Sequence, residues 1–409
     1  MSPPRHRDVA IVGGGPGGLM AAEVLARAGA TVTVYERMPS VGRKLLLAGR
    51  GGLNLTHSEP LDRLLDRYGT ARERLEPALR AFPPTSLRAW SAALGQQTFV
   101  GSSGRVFPEA FRATPLLRAW LARLHQLGVS ILLRHTWQGW DASGALRFTD
   151  PMGQDLTVRP DATVLALGGA SWPRVGADGA WVAPLSDAGV PVTPLRAANC
   201  GFTAAWSDAF RERFAGEPLK NVRLSFDHVS VRGEAVITRH GIEGGVVYAL
   251  SAVLRDAIEE HGTAVVSVDL HPDLTVAELE RRLHRRRPSD SAATFVRRAT
   301  GLPPVAVAML REACDGALPT EPERLAALIK DVPVRLVAAQ PLARAISTAG
   351  GVALSGVDER FMLRARPGVF VVGEMLDWEA PTGGYLLQAT FSTAVAAANG
   401  VLAWWSEQA

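Results

Sequence analysis

A short apolar segment followed at once by a glycine-rich turn constrains this chain more than any other feature of its sequence. Residues 8–12 (DVAIV) are apolar and rich in β-branched side chains, as in a buried strand. The next six residues read GGGPGG, and residues 19–28 after them have helical composition. A second strand-like segment, residues 31–35 (TVTVY), ends at Glu36. This order of strand, glycine turn, helix, strand and acidic residue predicts a βαβ unit that binds a dinucleotide.

Three glycines of the turn are spaced as Gly-x-Gly-x-x-Gly. The first glycine permits a tight turn, the second lets the backbone approach a pyrophosphate, and the third lets the helix pack closely on the strand. The phosphates then meet free N–H groups at the start of the helix. An acidic side chain at the end of the second strand can accept hydrogen bonds from a ribose diol. The residues predicted to hold a dinucleotide here are Gly13, Gly15, Pro16, Gly18, Glu36 and Arg37.

Length and composition indicate an ordinary globular protein of two or three domains. The chain has 409 residues, of which 47% are hydrophobic and 21% charged, so it can bury a large core. The net charge of +4 comes mostly from dispersed arginines, and the densest basic run is residues 281–287. We interpret that run as a solvated helix end, with an acidic partner as the alternative.

The two cysteines and the hydropathy pattern bear on the compartment. Cys200 and Cys314 form no Cys-x-x-Cys pair, which argues against a dithiol redox centre and fits a reducing cytoplasm. Neither a signal peptide nor an uninterrupted apolar run of about 18 residues is evident. We therefore predict a cytoplasmic protein with a small-molecule substrate and without membrane or nucleic-acid partners. The sequence leaves the oligomeric state open.

The nucleotide-binding fold is interrupted in sequence. Residues 163–169 (TVLALGG) and 368–374 (GVFVVGE) read as two further buried strands that end in glycine, and a helix is expected from Tyr385 to about residue 405. Between them, residues 220–240 and 265–270 alternate as antiparallel strands do, and residues 275–330 are mostly helical. The predicted fold class is α/β. A Rossmann-like domain, residues 1–190 and 346–409, is split by an inserted β-barrel plus helical domain, residues 191–345.

Two segments favour FAD over NAD as the dinucleotide. The first is the loop 41–57, where glycines let backbone N–H groups approach a flat ring system and Arg43 and Arg50 supply charge. The second is the strand ending in Gly373-Glu374, followed by a glycine pair that opens a helix. An acidic side chain there can hold ribityl hydroxyls, and a helix N-terminus can face the flavin edge where negative charge collects on reduction.

The same segments resemble the BaiN-like family of bacterial flavoproteins, often described as NAD(P)/FAD-dependent oxidoreductases. The resemblance covers nearly the whole chain and is carried by residues 13–18 (GGGPGG), 42–44 (GRK), 49–54 (GRGGLN), 104–108 (GRVFP), 373–377 (GEMLD) and 381–385 (PTGGY). It implies an FAD-binding flavoprotein, with NAD(P)H as a possible transient electron donor. The sequence shows no clear attachment signal, so we expect the FAD to be bound non-covalently. Further cofactor contacts are expected from Arg43, Lys44, Arg50, Gly51, Gly52, Asn54, Gly168, Gly373, Glu374, Gly383 and Gly384.

Candidate catalytic residues are few, because a flavin carries most of the hydride chemistry itself. His57 ends the loop 41–57, which is expected to lie beside the flavin ring and which we call the ring-side loop. It can donate a proton to a reduced product; alternatively, it forms hydrogen bonds with the backbone of its own loop. Arg105 can orient an anionic or carbonyl substrate. Tyr385 begins the last helix and can transfer a proton or pack against the flavin.

Three functions are compatible with the sequence. The favoured one is NAD(P)H-dependent reduction of an activated C=C bond, because the family resemblance points that way. An oxidase of an amine or amino ketone, which uses O2 and releases H2O2, is the alternative. A flavoprotein of RNA modification is the third, and only the basic run at 281–287 supports it. A second Gly-x-Gly-x-x-Gly after a strand is lacking, so a separate NAD(P)H domain is not expected.

Overall fold

A computed structural model describes residues 7–284, 291–314 and 316–408. The strands are β1 Asp8–Val12, β2 Thr31–Glu36, β3 Thr56–His57, β4 Thr98–Val100, β5 Arg105–Pro108, β6 Ser130–Leu133, β7 Thr136–Trp140, β8 Leu146–Thr149, β9 Asp155–Val158, β10 Ala162–Leu165, β11 Val192–Ala198, β12 Phe202–Ala204, β13 Pro218–Phe226, β14 Val229–Ile237, β15 Gly241–Glu243, β16 Ala264–Asp269, β17 Val332–Ala339, β18 Ser347–Val352 and β19 Val369–Val371.

The helices are α1 Pro16–Arg27, α2 Arg43–Ala48, α3 Leu61–Asp66, α4 Arg72–Ala81, α5 Pro84–Ala93, α6 Ala113–Gln126, α7 Val182–Asp187, α8 Asp208–Phe214, α9 Gly245–Ala249, α10 Ser251–His261, α11 Val276–Leu283, α12 Ala292–Thr300, α13 Pro304–Glu312, α14 Pro322–Lys330 and α15 Tyr385–Glu407. The chain divides into two compact units: one ends at Arg196 and resumes at Ser347, and the other is Ala197–Ile346.

A parallel sheet organises the first unit. Among the described residues it has five strands in the order β19-β10-β1-β2-β6, and every neighbouring pair is parallel. The central strand β1 is buried at four of its five positions, which explains its continuous apolar sequence. The predicted strands at 163–169 and 368–374 are confirmed as β10 and β19. Strand β10 lies between β1 and β19, although β19 follows β1 by more than 350 residues in the chain. The carboxyl ends of β1, β10 and β19 therefore share one edge, where ligands of such sheets bind.

The last helix lies within the core of this unit. Helix α15 has 23 residues and contacts both α1 and α4. Its length and composition alone would suit a membrane span, but 56% of its most apolar window is buried inside the protein. The burial of Ala389, Phe391, Ala394, Ala397 and Ala398 explains why this helix is rich in small apolar residues.

Two small antiparallel sheets complete the first unit. Strands β3, β5 and β4 form one of them, in that order, and β7, β8 and β9 form the other. The sequence did not predict the second sheet, because its four- and five-residue strands contain Trp, Thr and charged residues instead of an apolar run. Strands β11 and β18 pair separately.

The second unit combines a barrel with helices, as the sequence predicts. Its strands close a barrel in the order β12-β15-β14-β13-β16-β17, and α11 to α14 lie in the helical segment. The residues expected in its core, Leu279, Leu283, Phe295, Leu310 and Leu325, are all buried. Of the basic run at 281–287, Arg281 and Arg282 are exposed in the last turn of α11, and the residues from 285 onward lie outside the described ranges.

Candidate FAD-binding and active site

The turn between β1 and α1 has the glycine geometry that a pyrophosphate requires. Gly13 has a φ of +111°, and a Cβ at Gly18 would lie 2.0 Å from the carbonyl oxygen of Gly13. Both positions therefore require glycine for the backbone to adopt this fold, independently of any ligand. A Cβ on Gly15, in contrast, would meet no protein atom within 4 Å, so the space above the middle of the turn is open.

The start of α1 offers uncapped N–H groups to that space. Gly15 is the N-cap in an extended conformation, Pro16 follows it, and no side chain in the described structure caps this end. The first turn also contains no acidic residue. A helix N-terminus without a side-chain cap carries partial positive charge, which is stabilised by an anion such as a pyrophosphate.

Glu36 lies at the end of β2, as the ribose-binding prediction requires. Its Oε2 accepts a hydrogen bond from the Gly14 N–H at 2.7 Å, and its Oε1 accepts one from the Met38 N–H at 2.7 Å. Burial raises the pKa of this carboxyl above its usual value, although the two backbone hydrogen bonds oppose the shift. The carboxylate is thus held by two loops, and each oxygen keeps a further lone pair for a ligand hydroxyl.

Arg37 and Arg43, both predicted cofactor residues, differ in their contacts. Arg37 Nη1 is paired with Asp178 Oδ2 at 2.7 Å, a partner that the sequence did not indicate. Arg43 begins α2 and donates from Nη1 to Ser40 Oγ at 3.2 Å, but its buried Nε has no partner in the described structure. An unpartnered buried donor is costly, by about 1–3 kcal/mol, and suits a site that a polar ligand completes.

The ring-side loop contains a second buried polar atom without a hydrogen-bond partner. The buried Oδ1 of Asn54 has no hydrogen-bond partner among the described residues. Gly52 has a φ of +123°, and a Cβ there would lie 2.6 Å from the ring of Phe111. Arg50 and Gly51 are exposed at the tip of the loop. The free Oδ1 and the close backbone packing fit the prediction that this loop lines a bound cofactor.

Lys44 and Glu374 meet at the carboxyl end of β19, together with two residues that the sequence analysis missed. Lys44 Nζ lies 2.8 Å from Glu374 Oε2 and donates to Ser171 Oγ at 2.7 Å. Glu374 Oε1 also accepts a hydrogen bond from the Thr348 N–H at 3.0 Å. A Cβ on Gly169 would lie 2.3 Å from Thr348 Oγ1, so the glycine after Gly168 is required by this network. The one available signal was the position of Ser171, three residues past Gly168.

The N-terminus of α15 is a second uncapped helix start at this site. Gly383 and Gly384 have φ values of +146° and +95°, and Gly373, after β19, has +69°. A Cβ on Gly384 would lie 2.6 Å from backbone atoms of Thr56, so the helix start packs directly on strand β3. Neither a side-chain cap nor an acidic first-turn residue is present at this end of the helix as described. The dipole of α15 therefore favours negative charge near Gly384.

The structure brings two candidate catalytic residues, His57 and Tyr385, into contact. Their rings stack with centroids 5.3 Å apart. His57 Nδ1 accepts a hydrogen bond from the Glu59 N–H at 3.1 Å, and Nε2 lies 3.0 Å from the Ser103 carbonyl oxygen, to which it can donate. Both ring nitrogens thus hold the loop, which was the alternative to a proton-transfer role. A catalytic function for His57 stays a prediction.

Glu59 and Arg67 complete this cluster, and no sequence motif pointed to either residue. Tyr385 donates its hydroxyl to Glu59 Oε1 at 2.6 Å, and Arg67 Nη2 lies 2.8 Å from Glu59 Oε2. Burial and the Glu59 carboxylate raise the pKa of Tyr385 well above its usual value. Burial would also raise the pKa of Glu59, but the hydrogen bonds from Arg67 and Tyr385 outweigh it and hold that pKa below its usual value.

Arg105, the third candidate, is separate from this cluster in its side-chain contacts. It begins β5 and pairs through its backbone with His57, and its side chain is exposed. Its role in orienting a substrate stays a prediction. The described residues contain no group of three His, Cys, Asp or Glu side chains that could hold a metal ion.

Comparison with known proteins agrees with this geometry. The family profile described as HI0933-like protein Rossmann domain matches residues 7–400. A ribosomal RNA dihydrouridine synthase from Haemophilus influenzae is 25% identical over 416 residues, which cover 96% of this chain and 98% of that protein. A protein of the same name from Escherichia coli is 24% identical, over 97% of this chain and 98% of its own length.

A solved structure shares the fold over the same range. A 3-ketosteroid delta1-dehydrogenase from Sterolibacterium denitrificans matches with a TM-score of 0.55 at 14% identity, covering 97% of this chain and 99% of that chain. The resemblance inferred from the sequence motifs is thereby confirmed at the level of the family and of its Rossmann-type fold. Because the family profile matches nearly the whole chain, the protein belongs to the HI0933-like family of flavoproteins and is an FAD-dependent oxidoreductase.

Proposed function

We propose that this protein reduces an activated C=C bond with electrons from NAD(P)H, and that the bond is the C5=C6 bond of a uracil base in RNA. One observation carries the proposal: two relatives named ribosomal RNA dihydrouridine synthases match this chain over nearly their whole length and its own. Formation of dihydrouridine requires reduction of a C=C bond conjugated to a carbonyl, the reaction class that the family resemblance also favours. The RNA substrate departs from the small-molecule partner expected from composition.

The chemistry balances with one pyridine nucleotide per base. A hydride adds at C6, the carbon β to the C4 carbonyl, and a proton adds at C5. NAD(P)H loses two electrons and becomes NAD(P)+, and the proton comes from solvent. Bound FAD supplies hydride-transfer chemistry at its N5 position.

Particular residues of the chain support the FAD that this reaction needs. Gly15 and the start of α1 would receive the pyrophosphate, and Glu36 would accept hydrogen bonds from the ribose. The unpartnered Arg43 Nε and Asn54 Oδ1 would supply a donor and an acceptor to the rest of the cofactor. At the start of α15, next to Gly384, the positive end of the helix dipole would stabilise negative charge that forms on the cofactor when it is reduced.

An anaerobic titration of the purified protein tests this function. We expect a visible flavin spectrum that bleaches on addition of NADPH or NADH and recovers on addition of 2-cyclohexen-1-one, a simple enone. Unmodified ribosomal RNA, transcribed in vitro, should then gain two hydrogens per reacted uridine, as measured by mass spectrometry of its nucleosides. A flavin that resists both nucleotides but is reduced by an amine, with H2O2 released in air, would instead establish the oxidase alternative.

A further inference from the structure

We propose that the outer face of the β3-β5-β4 sheet binds single-stranded RNA by stacking bases on aromatic rings and pairing phosphates with arginines. This inference rests on the proposed function, because it names the surface that would receive the RNA. We call the surface the aromatic face and define it by Phe99, Phe107, Phe111, Arg105 and Arg112.

The strand register places the aromatic rings side by side. Phe99 in β4 lies directly opposite Phe107 in β5, and their ring centroids are 5.7 Å apart. Phe111 follows β5 and has its centroid 5.0 Å from that of Phe107 and 6.3 Å from that of Phe99. Phe99 is 40% exposed and Phe111 is 43% exposed, so the three rings form an apolar platform that faces solvent.

Alternation along β5 separates this face from the protein interior. Val106, between Arg105 and Phe107, is fully buried, so its two neighbours point to the opposite side of the sheet. An exposed ring on a strand is ordinary when it stands alone. Three contacting rings on one side of a small sheet form a patch that marks an interaction surface.

The charge around the rings selects the kind of partner. Arg105 and Arg112 are exposed at the two ends of the segment that carries Phe107 and Phe111, and Glu109 is the acidic residue between them. Aromatic rings flanked by arginines suit single-stranded nucleic acid, whose bases stack on the rings while its phosphates meet the cations.

The aromatic face is continuous with the predicted cofactor loop. The ring of Phe111 lies over Gly52, and the backbone carbonyl oxygen of Phe111 accepts a hydrogen bond from the Leu53 N–H at 3.3 Å. Phe111 keeps this position with a φ of +56°, a left-handed conformation that bulky residues seldom adopt. On the other side, His57 pairs with Arg105 and stacks on Tyr385 at the start of α15. An enzyme that acts on a base must take the base out of its stack, and a platform beside the site can hold the neighbouring bases.

Binding of a fluorescein-labelled decauridylate to the FAD-loaded protein, followed by fluorescence anisotropy, tests the inference. We expect Phe99→Ala to weaken binding about tenfold without changing the salt dependence, because one stacking contact is lost. Arg112→Gln should weaken binding and lower the slope of log Kd against log salt concentration by about 1. Phe99→Leu keeps an apolar side chain but removes the ring, so it should bind about as weakly as Phe99→Ala.

Matched controls lie in β8 and in the turn between β8 and β9. Met152→Ala removes a side chain that is 83% exposed, and Arg147→Gln removes a surface cation; both variants should bind like the wild type. Full binding by Phe99→Leu would show that apolar area, and not a stacking ring, is what the partner needs, and would overturn the proposal. Self-association in sedimentation velocity that Phe99→Ala abolishes, while RNA binding is unchanged, would assign the face to a second copy of the chain.

The outcomes for the wild type separate this inference from the proposed function. Wild-type protein that reduces 2-cyclohexen-1-one but binds no decauridylate would overturn the RNA surface and leave C=C reduction standing. Wild-type protein that binds RNA through Phe99 and Arg112 but reduces neither the enone nor uridine would support the surface and overturn the proposed reaction.

Discussion

Lys44 and Glu374 form an ion pair, with Nζ and Oε2 2.8 Å apart, although 330 residues separate them in the chain. Lys44 lies in helix α2, which follows the first βαβ unit, and Glu374 follows β19, the last strand of the parallel sheet in chain order. The pair therefore joins the two sequence segments of the split domain at the edge where the strands end.

Removing one member of this pair should weaken both the fold and the cofactor site. For Lys44→Met we expect a loss of about 1–2 kcal/mol of stability, less than for a fully buried pair because both side chains retain some exposure. We also expect FAD to bind about tenfold more weakly. Thermal unfolding of the apoprotein and FAD titration measure the two effects. Arg147→Gln, which breaks a surface pair with Asp155, is the control and should change neither.

Gly15 and Gly18 should respond differently to the same substitution. Gly15 has an ordinary φ of −81° and open space around it, so Gly15→Ala should leave the melting temperature of the apoprotein unchanged. Its methyl group would occupy the space left for the pyrophosphate, and FAD affinity should fall by about 100-fold. Gly18→Ala would place a Cβ 2.0 Å from a backbone oxygen and should destabilise the apoprotein itself. Equal melting temperatures for the two variants would contradict this distinction.

Gly384→Ala tests the packing at the start of α15. The substitution adds a Cβ 2.6 Å from the Thr56 backbone at a residue with a φ of +95°. Strain and collision together should cost about 2–4 kcal/mol and shift the helix start. Gly144→Ala is a matched control, because Gly144 has a φ of +82° with no atom nearby, and it should cost only about 1 kcal/mol. Urea unfolding of the two variants beside the wild type gives the comparison.

Glu59 should contribute to stability in a pH-dependent way. Its folded-state pKa is lowered, so the protonated carboxyl is disfavoured in the folded protein. The contribution is present above the unfolded pKa of about 4.3 and is lost as the pH falls through the lowered folded value. Melting temperatures measured from about pH 3 to pH 7 should therefore fall less steeply toward acid for Glu59→Gln than for the wild type. Parallel curves would show that the carboxylate adds nothing to stability.

The elements with local sequence signals could be predicted, and the contacts between distant segments could not. Strand β1, its glycine turn and helix α1 follow from spacing within twenty residues, and Glu36 follows from its place after β2. The partnership of Lys44 with Glu374, and the hydrogen bonds to Ser171 and Thr348, depend on which strands lie adjacent. That adjacency is a property of the whole sheet, so residue types alone do not reveal it.

The barrel and the aromatic face illustrate the same limit. Strands β12 and β15 have three residues each, too few for an alternating pattern, yet they help to close the barrel. Phe99 and Phe107 were unremarkable as two phenylalanines eight positions apart. Only the pairing of β4 with β5 places them opposite each other and leaves Phe99 exposed.

The split of the first unit around Ala197–Ile346 sets an order of events during synthesis. The second unit has its own hydrophobic core and contains none of the residues that we assign to FAD, so it can fold as soon as it emerges from the ribosome. The parallel sheet must wait for β19 and α15, which follow roughly 60 residues later, or roughly 3–12 s at bacterial elongation rates. Until then the edge of β10 lacks its neighbour, and the growing chain is competent to bind FAD only after its last helix has arrived.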